Sequence, residues 1–166
     1  MNCSLWFLLV LFSCSSCASQ DSDKPVKTQL EIRQFQTKNF EAADVPMVMK
    51  SLLNVLQDEG FTVKNVALDL GFISAVREED VENGSRRFWS QVSHGGEARW
   101  VKNERIEATI NVSQFGALVR VRTNFQRKVF DNMGAVVTIQ PIVDEAYYVE
   151  FFSKVSKSIF IQEHEL

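Results

Sequence analysis

Thiols are the first side chains to test for chemistry, because a cysteine can act as a nucleophile, ligate zinc or carry a lipid. The chain has three, Cys3, Cys14 and Cys17, all within the first seventeen of 166 residues. The remainder therefore holds no disulfide framework, Cys-based zinc site or cysteine nucleophile. Histidine is nearly as scarce. His94 precedes Gly95-Gly96 and His164 lies close to the C-terminus. Neither has a Ser or Cys partner at a spacing that suggests a triad. No Gly-x-x-x-x-Gly-Lys loop and no dinucleotide fingerprint occurs. Glu78-Glu79-Asp80 with Glu82 forms an acidic cluster, read as a solvated loop because calcium needs more oxygen ligands at set spacings. No catalytic residue, metal site or cofactor is expected, and the chain is read as non-enzymatic.

Binding chemistry is better represented. Phe88, Trp89 and Trp100 stand among Arg86, Arg87 and Arg99, and Trp and Arg are the residues enriched at interface hot spots. These aromatics either meet a partner or fold back as a lid on the core. Arg120 and Arg122 alternate with apolar residues, so both should project from one solvent face of a strand. That face suits an acidic partner or lipid headgroups. The plainer reading is an ordinary wet sheet face with Glu107 paired across it. Net charge is −3 and the pI is near 5.5, so no global basic field points to nucleic acid, and none is expected as a partner.

Leu5 to Phe12 is an unbroken apolar run. It is shorter than the roughly 20 residues a permanent span needs and has the length of a signal-peptide apolar region. Only the terminal amine supplies positive charge ahead of it. Leu11-Phe12-Ser13-Cys14 resembles a bacterial lipobox. The resemblance implies a diacylglycerol on the Cys14 thiol, cleavage just before it, and acylation of the new amino terminus. Cys17 is the competing site; it gives a more usual signal length but places Cys14 where an aliphatic residue belongs. With Ser15 next to the lipidated cysteine, the resemblance implies an outer-membrane anchor facing the periplasm. Three acyl chains suffice for stable anchoring where one is marginal.

The expected layout is a signal over 1–13, a lipidated tether over 14–27 and a single domain over 28–166. The tether is small, polar and Pro-containing, as flexible linkers are. Thr28–Lys38 reads as a strand, with Leu30 and Ile32 on one face and Phe35 on the other. Asp44 caps a helix carrying Val45, Val48, Met49, Leu52, Leu53 and Leu56 on one stripe, closed by Gly60. Phe61–Leu68 and Phe72–Arg77 form a strand pair. An irregular excursion covers 78–103. Ile106, Ala108, Ile110 and Val112 alternate with polar residues, as do Val119, Val121, Thr123 and Phe125, which predicts a hairpin with one wet face. A short strand at Ala135–Ile139 and a helix capped by Asp144 complete the chain. Runs of strands with few helices predict an α+β domain, an antiparallel sheet of about five to six strands with two helices on one face.

Three segments resemble a group of small proteobacterial lipoproteins: Arg33-Gln34-Phe35-Gln36-Thr37, Leu56-Gln57-Asp58-Glu59-Gly60-Phe61, and Phe151 to Phe160. The likeness covers residues 28 to 161. The helix-to-strand step at Gly60-Phe61 is also similar to the helix-grip domains of BamC-like lipoproteins. Both imply a binding or scaffolding role in an envelope complex. The expected function is a lipid-anchored subunit or assembly factor of such a complex, a secretion-system core being one example, alone or as a homo- or hetero-oligomer. The alternative is a periplasmic carrier of a lipid or small apolar ligand, which requires a hollow between Phe125, Phe151 and Leu53.

Overall fold

The computed structural model describes residues 27–41, 44–80 and 101–164. Their order is α1 (Gln29–Phe35), β1 (Thr37–Glu41), α2 (Val45–Asp58), β2 (Thr62–Ala67), β3 (Phe72–Asp80), β4 (Val101–Phe115), β5 (Leu118–Asp131), β6 (Val136–Pro141) and α3 (Glu145–His164). The architecture is α+β: one six-stranded antiparallel sheet in the order β2-β3-β4-β5-β1, with β6 also paired to β5.

The first element differs from its sequence reading. Residues 28–38 are not one strand; Gln29–Phe35 is helical and the strand begins at Thr37. A capping box decides the matter. Thr28 Oγ1 accepts from Glu31 N at 3.3 Å, and Glu31 Oε2 accepts from Thr28 N at 2.6 Å. Two orphan donors are satisfied reciprocally, which favours a helix start over continued strand. The backbone bond to Thr28 is the main reason the Glu31 carboxyl sits below its ordinary range.

α2 forms as its caps dictate. Asp44 Oδ1 accepts from Met47 N at 2.8 Å. At the far end Phe61 N donates to Leu56 O at 2.8 Å and Gly60 N to Gln57 O at 3.0 Å, a Schellman closure with Gly60 at φ 79°. Val48, Met49, Leu52, Val55 and Leu56 are buried, whereas Val45 and Leu53 are half-buried at its margin. Each fully buried side chain contributes roughly 1.5–3 kcal/mol relative to exposure.

The sheet's inner face carries Ile73, Ala75, Ile106, Ala108, Ile110, Val112, Val119, Val121 and Phe125. α2 and α3 cover it, the latter through Tyr148, Phe151, Phe152, Val155 and Ile159. The β2–β3 turn is locked by Gly71, at φ 59°. Its carbonyl accepts from Val112 N at 2.7 Å. A Cβ there would run into the Val112 carbonyl oxygen, so only glycine fits.

Both ends of the expected 78–103 excursion are strand, and residues 81–100 lie outside the described residues. Glu78, Glu79 and Asp80 continue β3 and pair with Arg105, Glu104 and Asn103 of β4. Cross-strand salt bridges hold the ends, Arg105 to Glu78 at 2.8 Å among them, so charged residues that resembled a loop extend two long strands instead.

β1 and β6 share one edge of β5. β1 pairs with residues 118–122 and β6 with 126–130. The seam between them is closed by three bonds: Thr123 N to Gln36 O, Ile142 N to Phe125 O, and Phe125 N to the Tyr148 hydroxyl at 3.2 Å. That hydroxyl also accepts from Gln36 Nε2 at 3.1 Å and donates to Ile142 O at 2.9 Å. One side-chain oxygen thus replaces a missing rung of the ladder.

Candidate functional site

Arg122 faces Thr37 across the β1–β5 pair, and Arg120 faces Asn39. On the other side the same arginines face Asn111 and Ser113 of β4. All six lie on the sheet's outer face, because their partners' neighbours Val119, Val121 and Val112 are buried. Across the mouth stands α1, whose Arg33 and Gln34 complete a cleft of about 410 Å³ lined by Arg33, Gln34, Thr37, Asn39, Arg120 and Arg122.

The cleft is positive and holds at least one arginine in place. The Arg120 guanidinium lies 3.6 Å from the centroid of the Phe115 ring, and its Nε donates to Asn39 Oδ1 at 3.4 Å. Stacking on an aromatic face and a hydrogen bond together restrict a long side chain. Among the described residues, no carboxylate forms an ion pair with Arg33, Arg120 or Arg122. Glu41 shares the face but stands opposite Leu118, and Glu31 is spent on the capping box.

The opposite end of the sheet is different. Arg127 bonds Glu104 at 2.6 Å, Lys128 bonds Glu107 at 2.8 Å, and Arg77 bonds Glu79 at 3.0 Å. Burial pushes the Glu107 carboxyl up, but hydrogen bonds from Lys128 and Gln126 and the charges of Lys128 and Arg105 outweigh it and hold the carboxyl below its ordinary range. Glu107 does pair across the wet face, then, but with Lys128 and not with Arg120 or Arg122. A second cleft, of about 430 Å³ between α2 and α3, is also charge-compensated. There Lys154 bonds Glu150 at 2.7 Å and Glu59 at 2.6 Å, which pushes its ammonium up to about 12.

The structure therefore brings Arg120 and Arg122 together as their alternation required, and adds Arg33. The strand reading of residues 28–38 hid that residue; the Thr28-x-x-Glu31 pattern was the signal that could have found it. Cys14, Cys17, Arg86, Arg87, Phe88, Trp89 and Trp100 lie outside the described residues. Between Phe125, Phe151 and Leu53, the site of the carrier alternative, the two rings meet edge to face at 5.1 Å and Leu53 packs against the core. Among the described residues no group of three or more His, Cys, Asp or Glu could hold a metal, and no helix is long and apolar enough to cross a membrane. What the arginine cleft can do chemically is hold an anion, a phosphate or carboxylate, by charge-assisted and bidentate hydrogen bonds. No family model matches the chain, and no curated protein matches its sequence.

Proposed function

We propose that this chain is a non-enzymatic, lipid-anchored subunit or assembly factor of a bacterial envelope complex, tethered through Cys14 to the periplasmic face of the outer membrane. The observation that carries the reading is the arginine cleft beside α1, the helix that follows the tether, whose arginines have no carboxylate partner among the described residues. A positive surface at the anchored end of a domain suits a module that works by being held and by holding. The rest of the surface stays available to other envelope proteins. The carrier alternative has less support, since the rings of Phe125 and Phe151 touch where a ligand would sit.

The test is purification of the full chain from detergent-solubilised membranes, with a Cys14→Ser, Cys17→Ser double variant alongside. Envelope proteins should co-purify in fixed stoichiometry with the native chain and fall away with the variant, which no longer reaches the membrane. A chain that purifies alone and carries an extractable lipid would favour the carrier.

A further inference from the structure

We propose that the arginine cleft docks the domain flat against the phosphate headgroups of an anionic bilayer; this rests on the lipid-anchored reading above. Three independent features converge on that occupant. First, Arg33, Arg120 and Arg122 gather around one cleft and have no carboxylate partner among the described residues, while Arg77, Arg105, Arg127 and Lys128 at the sheet's other end are ion-paired. Second, the cleft is flanked by exposed apolar side chains. Leu30 is 69% exposed and precedes Arg33 by one helical turn, on the same helix face. Phe115, at the tip of the β4–β5 hairpin, is 54% exposed while its ring supports Arg120. Guanidinium groups at phosphate level with a leucine and a phenylalanine beside them match the layered chemistry of a bilayer interface.

Third, the geometry of attachment agrees. Lys27, the last tether residue, pairs with Glu145 at the surface at 3.0 Å, and α1 starts two residues later. Arg33 then lies only about 6 Å along the helix from Gln29. If residues 14–27 are the flexible linker that the lipid-anchored reading makes them, a chain of that length spans roughly 20 Å. The anchor thus confines this end of the domain near the headgroups, and even modest attraction per arginine becomes effectively intramolecular.

The experiment uses the full lipidated chain added to phosphatidylcholine vesicles with or without phosphatidylglycerol. Arginines are labelled with a dicarbonyl reagent and each site is read by peptide mass spectrometry. Flotation reads the anchor; labelling reads the docking. Labelling of Arg33 and Arg122 should fall about five-fold or more on phosphatidylglycerol vesicles, the scale expected per basic residue at an anionic surface. The ion-paired Arg105 and Arg127 should be unchanged. Leu30→Asn, at an exposed position that cannot upset the core, should weaken the protection with all charges intact. Flotation with both vesicle types but identical labelling would overturn docking and leave the anchor standing. Equal protection by inorganic phosphate on neutral vesicles would make the cleft a free-anion site and overturn the bilayer as occupant. If the chain fails to float on neutral vesicles the anchor reading fails, and labelling of Arg33 and Arg122 on phosphatidylglycerol vesicles still decides docking.

Discussion

Replacing Tyr148 with Phe removes one oxygen and strands three groups, the Gln36 amide, the Phe125 N–H and the Ile142 carbonyl. The Gln36 and Phe125 bonds are buried and the Ile142 bond is part-buried, so water cannot fully replace them. Tyr148→Phe should therefore cost about 2 kcal/mol, read from urea unfolding, well above the net value of an ordinary hydrogen bond. The opposite sign is expected one residue pair away. Thr123 is fully buried, and its hydroxyl has no partner among the described residues. Thr123→Val removes that unpaired group at nearly constant volume and should stabilise the domain by about 1 kcal/mol; a loss of stability would mean that the hydroxyl is bonded after all. Glu107 adds a pH dependence. Its carboxyl is held below the ordinary 4.5 in the folded chain, so its contribution is present above that value and is lost as pH falls through the lowered one. Glu107→Gln should therefore destabilise at pH 7 and converge on the native chain in acid.

At the scale of elements, β6 stands out. Its pairing and the Ile142 N to Phe125 O bond place the backbone of Thr138 and Gln140 toward β5. The backbones of Val137, Ile139 and Pro141 then face an edge that no described strand covers, where Pro141 needs no donor. Val136, Val137 and Ile139 are each at least half exposed, and residues 135–143 carry no charge. Such an edge invites strand pairing. Ile139→Lys should reduce concentration-dependent association in light scattering and shift stability by less than about 0.5 kcal/mol. Much of this layer was legible in the sequence. α2 announced itself through Asp44, a 3.6-residue stripe and Gly60, and the β4–β5 hairpin through strict alternation, because both patterns are local. Residues 28–38 misled because Leu30 and Ile32 mimic strand alternation over a span too short to show a helical period. The Tyr148 seam was invisible for another reason: it depends on where β1 and β6 end against β5, which no local pattern encodes. The cleft was legible by half, since Arg120 and Arg122 follow from the strand's period while Arg33 required the correct first element.

At the scale of the whole molecule, charge is partitioned. At one end of the sheet Arg77, Arg105, Arg127 and Lys128 are held in ion pairs, and the other presents three arginines beside α1. A net charge of −3 conceals this polarity, and that is why composition alone pointed to no charged partner. Anchoring through Cys14 would give the polarity its purpose, since it fixes which end of the domain meets the membrane. The decisive measurement is the intact mass of the mature protein taken from membranes, with Cys14→Ser and Cys17→Ser variants in parallel. A triacylated chain beginning at Cys14, lost in Cys14→Ser and kept in Cys17→Ser, is the expected result. An unmodified, freely soluble product would contradict the lipid-anchored reading.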